Sequence, residues 1–135
     1  LMTLLVKTIN RETKTLTENN IRLNAIGDLN SLPKNCLKEL NEAIEKTKGN
    51  TRMTLTLALS YSSKWEITNA IKAIANNVNS GKLKVEEIDE STLDQHLCTL
   101  NIPDPELLIR TSGESRVSNF LLWQLAYTEF AFLPI

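Results

Sequence analysis

Residues 107–129 read LLIRTSGESRVSNFLLWQLAYTE, and this segment indicates the fold most clearly. The apolar run at 107–109 predicts a short, fully apolar strand. Small and polar residues at 110–117 predict a loop, and the apolar segment at 118–126 predicts a helix. A strand that is followed by a loop and a helix is the repeating unit of a parallel sheet with helical connections.

The rest of the chain shows the same alternation of strand and helix. Helices are predicted from apolar residues at helical spacing between Asn, Ser, Pro or Gly, and strands from alternating apolar runs. We therefore predict an α/β fold with a mainly parallel central sheet flanked by helices. The further predicted strands are at 21–26, 53–59 and 129–132. The further predicted helices are at 1–19, from Ser31 and Pro33 to Gly49, from Ser63 to Gly81 and, as a short helix, at 91–97. Ser63 and Glu66 are predicted to form a capping box at the start of the third of these helices.

Composition excludes several classes of function. The net charge of the 135 residues is −1, and no basic face or polybasic segment is present for nucleic acid or an anionic membrane. Apolar stretches stay below the roughly 18 residues that a membrane span needs. Cys36 and Cys98 lack the spacing of metal ligands, and we interpret both as reduced cysteines of a cytoplasmic protein.

The loop at 110–117 contains residues that bind anions. Arg110 ends a predicted strand, and ligands of open parallel sheets bind beyond the carboxyl ends of strands. Gly113 lets the backbone approach a ligand, Arg116 adds a second guanidinium, and Ser118 opens a predicted helix whose N–H groups favour an anion. Together they predict a diphosphate pocket. From spacing alone, two surface arginines in salt bridges and a serine that only caps a helix are an equally good interpretation.

The segment RTSGESRVSNFLLWQLAYTE at 110–129 resembles the C-terminal signature of the undecaprenyl diphosphate synthase family, the cis-prenyltransferases. The resemblance covers the whole chain. Further matches in family order and spacing are NIRLNAIGDL at 20–29, GNT at 49–51, LALSYSSKWEI at 57–67 and IPDPELLIR at 102–110.

The resemblance implies an enzyme that condenses isopentenyl diphosphate with an allylic diphosphate, such as farnesyl diphosphate, to make a polyprenyl diphosphate for a membrane. It implies that Arg110, Arg116 and Ser118 hold the diphosphate of isopentenyl diphosphate. It also implies a homodimer and Mg²⁺ as cofactor, with Glu129 linked to isopentenyl diphosphate and Mg²⁺. The alternative for Glu129 is a solvated carboxylate at the start of a strand.

We expect residues 1–135 to be the C-terminal part of a single cis-prenyltransferase domain, incomplete at both ends. The family's N-terminal strand and its loop of the type Asp-Gly-Asn-Gly-Arg-Trp have no match in this sequence. The sequence also departs from the family at 62–64, where Ser-Ser-Lys replaces a frequent Gly-Gly-Arg and so removes a backbone-permissive turn.

Several alternatives stay open. The apolar segment at 118–126 is either domain core or core and subunit contact, and the resemblance favours the second. Ile21, the first helix and the alternating strand at 53–59 line either a tunnel for the isoprenoid chain or an ordinary core. The other functions considered are a non-catalytic partner subunit of a cis-prenyltransferase and a generic diphosphate-binding module.

Since no match to the Asp-Gly-Asn-Gly-Arg-Trp loop is present, we predict that this polypeptide alone does not transfer prenyl groups. The measurement is incorporation of radiolabelled isopentenyl diphosphate into lipid in the presence of farnesyl diphosphate and Mg²⁺. A labelled polyprenyl product would overturn the prediction.

Overall fold

The computed structural model describes the backbone of residues 1–135 and every side chain except that of Met2. The chain divides into two compact units, Leu1–Ser60 and Tyr61–Ile135. Among the described helices, none combines the length and the apolar character that crossing a lipid bilayer requires. The elements are α1 (Met2–Glu18), β1 (Ile21–Ile26), α2 (Lys34–Thr47), β2 (Met53–Ala58), α3 (Ser63–Asn79), α4 (Glu90–Gln95), β3 (Leu107–Arg110) and β4 (Glu129–Phe132), with short 3₁₀ turns at Leu29–Ser31 and Val85–Glu87.

The predicted α/β class with parallel strands is confirmed. In the first unit β1 pairs with β2 from Ile21 opposite Met53 to Ile26 opposite Ala58, and in the second β3 pairs with β4. Both pairs are parallel. Most predicted boundaries agree with the structure to within two residues, because caps and apolar periodicity are local signals.

The core of the first unit forms where α1 and α2 pack on β1. Its buried members are Ile9, Leu23, Leu32, Cys36, Leu40 and Ala43. Thr47, at the end of α2, joins helix and strand: its hydroxyl accepts the N–H of Leu23 at 2.9 Å and donates to the carbonyl of Ala43 at 2.9 Å. This buried hydroxyl is therefore satisfied on both sides, as burial of a polar group requires.

Gly27 directly follows β1 and lies against the chain that directly follows β2. Its φ is +122°, and a Cβ built on it would lie 1.9 Å from the carbonyl oxygen of Leu59. The two strands stay bonded there, since Leu59 N–H donates to Ile26 and Asp28 N–H donates to Ser60. Only glycine fits both the backbone conformation and the space at this position.

An apolar cavity of about 320 Å³ lies in the first unit between α1 and the strands, and its lining includes Leu55 and Leu57 of the predicted tunnel wall. Met53, on the same face of β2, is 51% exposed. The other lining residues are Leu5, Thr8, Ile9, Glu12, Leu16 and Leu23. A role in holding an isoprenoid chain stays a prediction.

In the second unit, α3 begins differently from the prediction. The cap is Ser62, whose hydroxyl accepts the N–H of Trp65 at 3.4 Å. Glu66, predicted to complete a capping box with Ser63, turns inward instead and is 2% exposed. The helix ends as expected before Gly81, whose φ of +81° suits glycine.

Glu66 joins three segments inside the second unit. One carboxylate oxygen accepts the backbone N–H of Cys98 at 2.8 Å, and the other accepts the amide of Gln124 at 3.2 Å and the hydroxyl of Tyr61. A buried carboxylate needs such donors, because its transfer from water is costly. Burial, and then the hydrogen bond to Glu66, raises the pKa of Tyr61 far above its usual value.

The predicted helix at 118–126 is wrong. The segment forms successive turns, and φ is +50° at Ser118, +62° at Asn119 and +48° at Leu121. A right-handed helix requires negative φ at each residue. Leu121, Gln124 and Leu125 are buried, whereas Leu122 is 42% exposed. A subunit contact of this segment stays a prediction. The segment does not form a helix because the backbone carbonyl of Asn119 and the backbone N–H of Leu122 bond to Ser63 at the start of α3. A helix at 118–126 would need both groups for its own hydrogen bonds.

We predict that Gly27→Ala lowers the free energy of unfolding by at least about 3 kcal/mol, because a Cβ meets a backbone carbonyl in a left-handed conformation. Urea unfolding followed by circular dichroism measures the change. Gly49→Ala is the matched control, since no heavy atom lies within 4 Å of its added Cβ, and its effect should stay below about 1 kcal/mol. Equal stabilities of the two variants would contradict the prediction.

The raised pKa of Tyr61 predicts alkaline sensitivity. A group whose pKa is higher in the folded state stabilises fully below its unfolded pKa of about 10, and this contribution is lost as pH rises toward the folded pKa. Above about pH 10, the free energy of unfolding of the wild type should therefore fall more steeply with pH than that of Tyr61→Phe. The difference between the two slopes should be at most about 1.4 kcal/mol per pH unit. Urea unfolding from pH 9 to 11.5 tests this, with Tyr127→Phe, at a fully exposed position, as control. Parallel pH profiles for wild type and Tyr61→Phe would refute it.

Candidate functional site

The loop after β3 is held against the chain that follows β4. Leu133 N–H donates to the carbonyl of Arg110 at 2.8 Å, which extends the strand pairing by one step. Ser112 and Gly113 then donate their N–H groups to the carbonyls of Ile135 and Leu133, at 2.6 and 3.2 Å. Both have positive φ, +66° and +70°, so the chain turns sharply directly after the strand.

The two predicted arginines lie in one loop and are in contact. Nη1 of Arg110 donates to the backbone carbonyl of Arg116 at 3.1 Å. Nε of Arg116 lies 3.5 Å from a carboxylate oxygen of Glu114, and the Arg116 side chain is 77% exposed. An exposed ion pair of this kind contributes little, so a stronger anion could replace Glu114. Each guanidinium carries five N–H donors, so each has donors in addition to those used in these contacts.

Ser118 lies next along this loop and is exposed. It has a φ of +50° and belongs to a turn, so the predicted contribution of a helix N-terminus to anion binding is wrong. The groups that remain for an anion are the two guanidiniums, the hydroxyl of Ser118 and local backbone N–H groups. Two planar guanidinium forks are sufficient to recognise a phosphate group.

Asn119, which sequence reasoning missed, ties this loop to the start of α3. Its backbone carbonyl accepts the N–H of Ser63 at 2.8 Å, and its side-chain oxygen accepts the N–H of Lys64 at 3.0 Å. Its amide donates to the hydroxyl of Ser62 at 2.7 Å. One sequence feature could have indicated such a residue: the first backbone N–H groups of a predicted helix need hydrogen-bond acceptors from outside the helix.

The replacement of Gly-Gly-Arg by Ser62-Ser63-Lys64 does not strain the backbone. Ser62 has an extended φ of −147°, and the next two residues begin α3. Because these positions lie outside the left-handed region, glycine is not required there. The departure instead supplies the hydroxyls of Ser62 and Ser63, which both accept hydrogen bonds from the 119–122 segment.

A cavity of about 310 Å³ lies beside Arg110. Its lining is apolar except for Arg110, so it offers hydrocarbon surface next to a positive charge. An amphiphile with an anionic head is the chemical class that fits such a surface. The lining residues are Pro105, Leu107, Leu108, Ile109, Arg110, Val117, Phe120, Leu121 and Leu125.

Glu129 is not brought next to Arg110. In the β3–β4 register it lies opposite Leu107, whereas Arg110 lies opposite Phe132. Three residue steps separate them along the ladder, which is roughly 10 Å, and the odd number of steps places them on opposite faces. Among the described residues, no group of three or more His, Cys, Asp or Glu side chains is arranged to hold a metal ion.

Comparisons with known proteins agree on one family. Residues 1–135 match the family model described as undecaprenyl diphosphate synthase. The isoprenyl transferase of Porphyromonas gingivalis is 51% identical over 132 residues, which cover 98% of this chain and 52% of that protein. Dehydrodolichyl diphosphate synthase 2 of Arabidopsis thaliana is 49% identical over 135 residues, with 98% of this chain and 43% of that protein covered. The chain thus spans about half the length of these relatives.

A solved structure shows the same fold. Lavandulyl diphosphate synthase from Lavandula x intermedia, in complex with dimethylallyl diphosphate, matches with a TM-score of 0.94 and 39% sequence identity. The match covers 98% of this chain and 58% of that one. Sequence and fold therefore lead to the same conclusion: the chain belongs to the undecaprenyl diphosphate synthase family of cis-prenyltransferases.

Proposed function

We propose that this chain takes part in cis-prenyl transfer and that its 110–118 loop binds the diphosphate of isopentenyl diphosphate. The observation that carries the proposal is the contact between Arg110 Nη1 and the Arg116 carbonyl, at 3.1 Å, which joins both arginine positions in one loop at a strand end. The proposal is supported by relatives named isoprenyl transferase and by a similar structure that contains a prenyl diphosphate.

The arginines would bind the diphosphate through charge-assisted hydrogen bonds. Arg116 would exchange its exposed ion pair with Glu114 for a phosphate group, since the diphosphate is a stronger acceptor. Arg110 keeps its bond to the loop backbone and uses its remaining donors. The hydroxyl of Ser118 would donate to a further phosphate oxygen.

In the proposed reaction, the alkene carbon C4 of isopentenyl diphosphate attacks C1 of the allylic diphosphate. The C1–O bond breaks, inorganic diphosphate leaves with the electron pair, and a proton is lost to form a cis double bond. The proposed contribution of this chain to the reaction is to position the substrate. A diphosphate bound by Arg110, Arg116 and Ser118 fixes where the alkene of isopentenyl diphosphate lies. The apolar cavity beside Arg110 offers surface for the hydrocarbon part.

Mg²⁺ and a second subunit belong to the proposal through the family. Glu129 is the proposed Mg²⁺ ligand. Its carboxylate is a suitable ligand type, because proteins bind Mg²⁺ through one or two carboxylates together with substrate phosphates. When bound, the ion would neutralise charge on a diphosphate. Within one copy of the chain, Glu129 lies three residue steps from Arg110 along the ladder and on the opposite face. The proposed assembly is a homodimer that delivers its lipid product to a membrane.

We predict that the chain binds isopentenyl diphosphate in calorimetric titration. Arg110→Ala and Arg116→Ala should each weaken binding about tenfold to a hundredfold, and Ser118→Ala about tenfold, because charge-assisted hydrogen bonds are lost. Arg22→Ala is the control: it removes an exposed guanidinium of β1, in the first unit, and should leave the affinity unchanged.

Equal losses in Arg22→Ala and Arg110→Ala would show that the charge of the whole chain, and not the loop, attracts the ligand. A wild-type chain that binds neither isopentenyl diphosphate nor inorganic diphosphate would contradict the proposal and would favour a non-catalytic partner subunit.

A further inference from the structure

The first turn of α3 obtains its hydrogen-bond partners from the candidate diphosphate loop. The leading N–H groups of a helix have no partner within the helix. Two of them, from Ser63 and Lys64, donate to the carbonyl and side-chain oxygen of Asn119 at 2.8 and 3.0 Å. The third, from Trp65, donates to the hydroxyl of Ser62, which also accepts the Asn119 amide at 2.7 Å.

Asn119 therefore uses every polar group of its side chain, and its backbone carbonyl as well, on α3. The neighbouring positions strengthen the same junction. Leu122 N–H donates to the Ser63 hydroxyl at 3.0 Å, and the ring of Phe120 packs edge-on against Tyr61 with centroids 5.7 Å apart. Three of the four residues 119–122 thus contact the start of α3 or the residue Tyr61 just before it, and the fourth, Leu121, is buried.

The conformation of Ser118 depends on this attachment. Ser118 and Asn119 have consecutive positive φ values of +50° and +62°. Asparagine tolerates this region, whereas serine occupies it at a cost that the surroundings must offset. The bonds made by Asn119 fix its own carbonyl and side chain, and so hold the residue that directly follows Ser118 in place.

We propose that Asn119 is a positioning residue for diphosphate binding: by bonding to the first turn of α3, it holds the Ser118 hydroxyl toward the arginine loop. This inference rests on the proposed function. Asn119 does not need to contact the ligand, because its amide is already committed to Ser62 and Lys64. Asparagine suits the position since its side chain combines an NH₂ donor group and an oxygen acceptor with tolerance of positive φ.

A double-mutant cycle tests the inference by calorimetric titration with isopentenyl diphosphate. Asn119→Gly keeps the left-handed backbone accessible but removes the amide, and we expect binding to weaken about tenfold. In a Ser118→Ala background the same change should have little further effect, because Asn119 acts through that hydroxyl. Losses that multiply in the double variant would overturn the inference.

Asp89→Ala is the matched structural control. Asp89 caps α4 in the same unit, where its carboxylate accepts the N–H of Thr92 at 3.0 Å. Its removal should lower stability in urea by an amount similar to the loss of the α3 bonds, with no change in affinity. An equal loss of affinity in Asp89→Ala would show that reduced stability alone explains the effect and would overturn the inference.

Ser62→Ala provides a second variant in case Asn119→Gly does not fold. It removes the acceptor for the Asn119 amide and leaves the loop sequence intact, so binding should weaken several-fold in the wild type but not in Ser118→Ala. Unchanged binding in Ser62→Ala and Asn119→Gly, with a wild type that binds, would refute the positioning role and leave the proposed function standing. A wild type that binds neither isopentenyl diphosphate nor inorganic diphosphate would remove both.

Discussion

Parallel pairing of strands is the constraint on which both units depend. β1 runs beside β2, and β3 beside β4, in the same direction. A tight turn cannot join two parallel strands, so a long connection must return the chain to the starting edge. In the first unit α2 makes this connection and buries Leu40 and Ala43 on the way. In the second unit residues 111–128 make it without a helix.

This constraint also separates the candidate site residues. The carboxyl end of β3 carries Arg110, and the loop that follows it carries Arg116 and Ser118, so these groups share one edge. Glu129 begins β4 and therefore lies at the amino end of the pair, on the opposite face from Arg110. A parallel strand pair places residues that follow one strand and residues that begin the next at opposite ends. The proposed diphosphate site therefore lies at the carboxyl end of the strand pair, and Glu129 lies at its amino end.

Hydrogen bonds to α3 connect several segments of the second unit. Glu66 accepts donors from Tyr61, the backbone at Cys98 and Gln124, and Asn119 bonds to the first turn of the same helix. Buried polar groups must be paired, so each of these bonds specifies which segments meet. The loop that carries the candidate site is thereby positioned by a helix that contributes none of the predicted ligand-binding residues.

The sequence by itself determined the α/β class, the helices α1, α2 and α3, all four strands within a residue or two, and the family. Caps, apolar periodicity and contiguous motifs are local, and local patterns can be read without a structure. It also indicated that Arg110, Arg116 and Ser118 follow one strand end. Only the tertiary structure decided that 118–126 is not a helix, that Glu66 turns inward and that Glu129 lies apart from Arg110. Each of these depends on partners far along the chain, such as Lys64 and Asn119, which are 55 residues apart. An apolar run in a sequence indicates that its side chains must be buried. The φ angles of that run depend on hydrogen bonds with segments that are distant in the sequence.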